Sequence, residues 1–125
     1  MNIPKNLFYT KDHEWIEIDD KTCKIGITDF AQGELGDIVF MEMPEIGTDL
    51  KAGDSAGTIE AVKTVADIYT PINGTIIKCN DKLIDTPELI NSDPYGNGWI
   101  ILIEADSLVD KNNLLTSDQY QEFIK

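Results

Sequence analysis

Period two dominates this chain. In "TCKIGIT", Cys23, Ile25 and Ile27 alternate with Thr22, Lys24 and Gly26. That alternation predicts a half-buried strand. "EWIEI" repeats it, with Ile16 and Ile18 set against Trp15 and Glu17. The turn "DDKT" joins the two. "DIVFMEM" (Asp37 to Met43) is denser in apolar residues and predicts a strand covered on both faces. "PEIGTDLKAGD" carries the turn signals Gly47 and Gly53. "AGTIEAV", "VADIYTPI" and "GTIIKCN" follow as short strands, the last two separated by a bend at Pro71 to Gly74. "GWIILIE" (Gly98 to Glu104) closes the run. Roughly seven or eight short strands predict a mainly β fold, a sandwich or flattened barrel.

Three short helices interrupt the strands. "TDFAQGELG" opens with Asp29 as N-cap and Gln32 three residues on, and stops at Gly33 or Gly36. "TPELINSD" has Thr86 as N-cap and Pro87 at the first helical position, where a missing N–H costs nothing. The tail "LLTSDQYQEFIK" has Thr116 as N-cap and Gln119 at the capping-box position. Leu115 can staple onto Tyr120, and Tyr120, Phe123 and Ile124 form one apolar stripe. Nothing reads as a linker, so residues 1–125 are expected to form one domain with a modest core.

Composition narrows the possible partners. Ten basic residues, all lysine, face 23 acidic ones, for a net charge of −13. Nucleic acid and anionic membranes need a basic footprint and are excluded. An acidic surface serves solubility, or docking onto basic protein patches. No apolar run approaches the ~18 residues of a membrane span. The start, "MNIPKNLFYT", lacks a secretion-signal pattern. Cys23 and Cys79 lack metal or redox spacing and read as reduced core thiols, consistent with a reducing compartment.

Candidate chemistry is sparse. His13, the only histidine, sits in "KDHEW" beside a bulky aromatic and reads as structural. A His-rich metal site is out, and no phosphate-loop pattern occurs. Among 23 carboxylates, closeness in sequence singles out no acid–base pair. Lys63 stands apart because of its setting. "GTIEAV" precedes it and "TVADIYTP" follows. If both are strands, Lys63 and Thr64 form a tight hairpin turn and the ammonium projects alone into solvent. A lysine that merely solubilises a loop has the same local pattern.

The blocks around it carry a resemblance. "YTKDHEWIEI", "GITDFAQGELGDIVFMEMPEIG", "GTIEAVKTVADIYTPINGTI" and "NDKLIDTPELINSDPYGNGWIILIE" occur in that order and span nearly the whole chain. Together they resemble the glycine cleavage system H-protein family, the third block being similar to its E-(S or A)-V-K segment. The resemblance implies a flattened barrel-sandwich hybrid of the lipoyl/biotinyl-carrier type, with short peripheral helices and a C-terminal helix. It implies that Lys63 carries lipoic acid in amide linkage and that the protein is a carrier rather than an enzyme. The implied partners are a glycine decarboxylase (P protein), an aminomethyltransferase (T protein), dihydrolipoamide dehydrogenase (L protein) and a lipoate ligase or octanoyltransferase. The implied compartment is the bacterial cytoplasm, or the mitochondrial matrix for a eukaryotic source.

In that family the loaded arm folds into a cleft where carboxylates hold the protonated amine. The matching positions are Glu14 and Asp67, with Asp12 a weaker contributor. A buried ammonium needs such partners, because an unpaired charge is costly to desolvate. Glu60 either helps a modifying enzyme orient the turn or is a plain strand carboxylate. Glu34 departs from relatives with histidine there and adds negative charge instead. Three rival readings share part of this pattern. Other swinging-arm domains carry "DKA" or "MKM" where this chain has "VKT". An H-like protein that relays lipoyl groups to other complexes shares every residue named. A small acidic hydrolase would need two carboxylates at defined spacing in a pocket, and nothing sets that spacing.

Overall fold

A computed structural model describes residues 1–125. Nine strands and four short α-helices follow one another along the chain. The strands are β1 (Phe8–Tyr9), β2 (Glu14–Asp19), β3 (Thr22–Ile27), β4 (Ile38–Glu42), β5 (Asp49–Leu50), β6 (Ser55–Ala61), β7 (Val65–Tyr69), β8 (Gly74–Cys79) and β9 (Ile101–Ala105). The helices are α1 (Asp29–Leu35), α2 (Lys82–Asp85), α3 (Leu89–Ser92) and α4 (Ser117–Phe123). A 3-10 turn at Lys111–Asn113 precedes α4. The larger sheet has the order β1-β2-β3-β9-β8-β5 and the smaller one β4-β6-β7. Every pairing is antiparallel. Two open sheets with short peripheral helices make the flattened barrel-sandwich expected from the chain.

The alternation works as predicted where one face meets the core. Cys23, Ile25 and Ile27 of β3 join Ile16, Ile76, Ile101 and Ile103 in the main cluster, with Ile59 and Ile68 from the smaller sheet. Both cysteines are free and buried, and burial pushes the Cys23 thiol up to about 11. The turn after β2 needs a left-handed residue, and Asp20 takes φ 58°. Asp and Asn tolerate that region better than most side chains.

Four expectations change. β4 is not covered on both faces. It is an edge strand, a bulge interrupts its register between Ile38 and Phe40, and Val39 and Phe40 are each 51% exposed. The N-cap of α1 is Thr28, whose side chain accepts the Ala31 N–H, so Asp29 is the first helical residue. There its carboxylate accepts the Asn2 N–H at 2.9 Å and a Gln32 side-chain N–H at 2.8 Å. Of the two expected stops, α1 passes Gly33 and ends at Gly36 with φ 77°. Thr86 caps the end of α2 instead of starting a helix, and α3 begins after Glu88. Pro87 falls in the tight link between α2 and α3, neither of which has a side-chain cap.

The C-terminal helix follows its sequence signals. Thr116 and Gln119 form the reciprocal capping box. Leu115 packs near Tyr120 in a second apolar cluster made by Leu7, Tyr9, Trp15 and Tyr120. Tyr120 stacks on Tyr9 at 4.8 Å, while Phe123 stays 45% exposed, so the expected stripe is buried at one end only. This cluster covers the outer face of β2. Trp15 therefore lies buried opposite Ile16, and β2 is sandwiched at that point.

Trp15 also explains a glycine. Gly26 is its cross-strand partner, and the indole lies across the space a side chain would fill. A Cβ on Gly26 would sit 2.7 Å from Trp15 Nε1. The indole cannot swing aside freely, because Nε1 donates to the Pro94 carbonyl at 2.9 Å. We expect Gly26→Ala to destabilise the fold by about 2 kcal/mol, a drop of roughly 5–10 °C in Tm at this size. Thermal unfolding followed by circular dichroism checks this, and an unchanged Tm would mean the indole repacks without cost.

Candidate functional site

Lys63 sits at the tip of the β6–β7 hairpin. Glu60 pairs with Val65, which makes Ala61 and Thr64 the closing residues and Val62 and Lys63 the two-residue tip. The expected turn, Lys63 and Thr64, is thus displaced by one residue. Ala61 N–H donates to the Thr64 carbonyl at 2.8 Å, and Val62 N–H donates to the Asp37 carbonyl at 3.0 Å. The tip is therefore closed from within and held from the segment entering β4. Lys63 itself is exposed. The one ion pair in the molecule joins Lys125 to Glu122, so the Lys63 amine has no carboxylate partner. The lysines that lie over aromatic rings are Lys11, Lys24, Lys78 and Lys111, so no ring holds it either. Val62 and Val65 beside it are 68% and 60% exposed. Glu60 is exposed on the strand leading to the tip, level with Phe40.

Next to the hairpin lies a cleft of about 370 Å³. It is bounded by the segment leading into β2, by α1 and by the β6–β7 pair. Its polar lining is Asp12, His13, Glu14, Glu34 and Asp67. Its apolar lining is Ile27, Phe30, Ala31, Leu35, Ile59, Ala66 and Ile68. The structure therefore brings together Glu14 and Asp67, 53 residues apart in sequence by their numbers, with Asp12 and Glu34 beside them. No cluster of three or more His, Cys, Asp or Glu side chains is arranged to hold a metal ion.

Glu14 and Asp67 differ in character. Glu14 is 2% exposed. Its Oε2 accepts the Tyr69 N–H at 2.8 Å and its Oε1 accepts the Thr10 hydroxyl at 3.0 Å. Burial raises its carboxyl from the ordinary 4.5 to about 7, although both hydrogen bonds pull the other way. Asp67 is exposed, and its Oδ1 accepts the Thr58 hydroxyl at 2.9 Å. Glu14 is a deep carboxylate and Asp67 one at the rim.

His13 is the residue that the linear reading misplaced. It is not an isolated structural histidine but part of the cleft wall. Its backbone takes φ 66°, outside strand geometry. That kink breaks the in-and-out alternation, so His13 and Glu14 line the same cavity although they are neighbours in sequence. Its ring packs on Phe30 at 4.8 Å and near Phe123 at 5.9 Å, and Nδ1 is 2.9 Å from the Tyr120 hydroxyl. Thr10, Tyr69 and Tyr120 were also missed. Thr10 had a local signal, a hydroxyl four residues before a carboxylate; the other two reach the site only through tertiary contacts.

A lone exposed lysine on a two-residue turn, presented by a flattened two-sheet sandwich, is the arrangement of the small carrier domains. A sequence model of the glycine cleavage H-protein family matches residues 7–125. The chain belongs to the glycine cleavage H-protein family. A glycine cleavage system H protein from Geobacillus thermodenitrificans is 50% identical over 124 residues, covering 99% of this chain and 98% of the relative. One from Listeria monocytogenes serotype 4a is 52% identical, with 99% of each chain covered. The crystal structure of a glycine cleavage system H protein from Mycobacterium marinum superimposes with a TM-score of 0.88 at 39% identity, over 96% of this chain and 97% of that one.

The raised pKa of Glu14 makes a stability prediction. A carboxyl raised in the folded state favours folding most when it is protonated in both states, below about 4.5, and that advantage is lost as pH rises through about 7. Glu14→Gln keeps an acceptor for the Tyr69 N–H and cannot ionise. Urea unfolding of variant and parent should agree near pH 4. At pH 8 the variant should be more stable, by at most about 3 kcal/mol. A variant less stable than the parent at pH 8 would mean that ionised Glu14 is held favourably in its pocket.

Proposed function

We propose that this chain is the lipoyl-bearing carrier of the glycine cleavage system, that residues 1–125 work as one carrier unit, and that Lys63 bears lipoic acid in amide linkage. The observation that carries the reading is the unpaired, exposed Lys63 amine on a turn fixed from both sides. An acylating enzyme must reach that amine without first breaking an ion pair. The rigid base then returns the modified side chain to the same place after each turnover. The relatives compared all bear the glycine cleavage name, and none supports a relay duty.

When bound, the lipoyl group supplies a disulfide that takes up the aminomethyl unit of glycine and is restored by reoxidation. The chain's own residues bind, orient and shield. Asp67 lies four residues past Lys63, roughly 13 Å along a strand. A lysine lengthened by an acyl chain can fold back over that span. The apolar wall from Ile27, Phe30, Leu35 and Ile59 suits a hydrocarbon arm and excludes water. Glu14 and Asp67 hold a cargo ammonium, Glu14 from below and Asp67 from the rim. Meeting a cation draws the Glu14 proton off, so the deep carboxylate acquires its charge when its partner arrives.

The protein has no turnover alone. It serves the decarboxylase, the aminomethyltransferase and the dihydrolipoamide dehydrogenase, and is modified by a lipoate ligase or octanoyltransferase. We assign it to the cytoplasm, supported by its bacterial relatives and by its buried free thiols. No helix is long and apolar enough to cross a membrane.

Intact-mass measurement after incubation with lipoate ligase, lipoate and ATP tests the attachment. One lipoyl group should map to Lys63, and Lys63→Arg should fold normally and gain none. Modification elsewhere, or a folded wild type left unmodified, would sink the proposal. Loaded with aminomethyl cargo, Glu14→Gln should release it faster than wild type. Equal lifetimes would remove Glu14 from the cargo site.

A further inference from the structure

Three buried or half-buried groups form a hydrogen-bond chain behind the cleft. Thr28 Oγ1 is 2.7 Å from the Tyr120 hydroxyl, and that hydroxyl is 2.9 Å from His13 Nδ1. Thr28 Oγ1 also accepts the Ala31 N–H at 3.2 Å as the N-cap of α1. Thr28 and Tyr120 are both fully buried. The direction of the chain follows from counting protons. If Nδ1 carried a hydrogen, it would donate to Tyr120, and Tyr120 would have to donate to Thr28. The Thr28 hydroxyl proton would then have no acceptor, because its other neighbour, the Ala31 N–H, is a donor. An orphaned buried donor is unfavourable, because it forfeits the hydrogen bond it makes to water in the unfolded chain. The opposite direction satisfies every group: Thr28 donates to Tyr120, Tyr120 donates to Nδ1, and the ring hydrogen sits on Nε2.

We propose that this Thr28–Tyr120–His13 chain keeps His13 neutral, so that the cleft retains its negative charge for a cationic cargo. The inference rests on the carrier reading above and gives the cleft's polar wall a further member. The charged groups around the ring pull the other way. Asp12 flanks it in sequence, Glu34 on α1 and Asp67 on β7 line the same cleft, and Glu14, its other neighbour, adds charge only once ionised. Such surroundings normally favour an imidazolium. Among the lysines, Lys11 places its Nζ over the Phe123 ring, which packs near His13. A protonated His13 would offset one carboxylate and repel an incoming ammonium. Protonation requires a hydrogen on Nδ1, which reverses the chain and strands the Thr28 proton. Burial opposes the charge too, and outweighs Asp12 and Glu34 in setting the direction of the shift. The aromatic packing from Phe30 and Tyr120 holds the ring where Nδ1 meets the hydroxyl. The C-terminal helix thus acts on the cleft without lining it. His13 is a positioning residue that sets the cleft's charge.

The chain's only histidine makes the test direct. Nitrogen-15 NMR of the unmodified protein reads its tautomer and midpoint. We expect the Nε2–H form, with a midpoint below 6.5. Tyr120→Phe preserves the stack on Tyr9 and removes the donor, so the midpoint should rise. On carriers loaded with the aminomethyl cargo, Tyr120→Phe should lose it several-fold faster near pH 6.5 and no faster near pH 8.5, where the ring is neutral in both proteins. A wild-type Nδ1–H tautomer, or a wild-type midpoint at or above 6.5, would overturn the proposal, even if the variant failed to fold. So would an unchanged midpoint in a folded variant, or a release rate that differs equally at both pH values. The NMR arms need no lipoyl group, so failure at Lys63 and failure at His13 are distinguishable.

Discussion

Glu14 joins the two sheets. Its own strand lies in the larger sheet, while Oε2 takes the N–H of Tyr69 on β7 in the smaller one. β7 is an edge strand. Its register turns the N–H groups of residues 65, 67 and 69 away from β6, so one of them would otherwise be an unpaired donor beside the core. A carboxylate is a strong acceptor for such a donor, and burial makes the contact both tighter and harder to ionise. The same contact fixes how the lysine-bearing hairpin stands relative to the cleft. One side chain therefore both ties the sheets together and lines the cleft. A carboxyl that titrates near neutrality can be uncharged while the cleft is empty of cations and charged when one is present.

Charge elsewhere is arranged around this site. With a net charge of −13 and a single ion pair, nearly all ionised groups are left to solvent. That weak pairing contributes little to stability. It leaves an acidic surface that attracts partners bearing basic patches. The exposed valines next to Lys63, with Val39 and Phe40 on β4, add apolar contact area at the same end. Such a surface suits weak, reversible contacts with protein partners.

Much was legible in the linear pattern. Alternating apolar residues placed most strands, because one covered face is enough to write a period of two. The capping box at Thr116 and Gln119 set the last helix from four adjacent residues. Lys63 stood out because two strand-like flanks leave only a turn between them. Elements failed where the cause lay outside the segment. "DIVFMEM" reads as a buried strand, yet it lies at a sheet edge, and no local feature reports a strand's neighbours. Thr28 takes the cap expected of Asp29, and its hydroxyl also meets that of Tyr120, 92 residues away.

The sequence by itself determined the β class, the hairpin and the lysine at its tip, since each follows from periodicity and turn geometry over a few residues. Only the tertiary structure decided the cleft. It set Glu14 beneath β7, brought Asp67 and Glu34 to the same cavity, and turned His13 inward through a left-handed backbone. The physical reason is that a residue's charge state and partners depend on what is packed against it. In a sheet protein those neighbours come from strands distant in sequence.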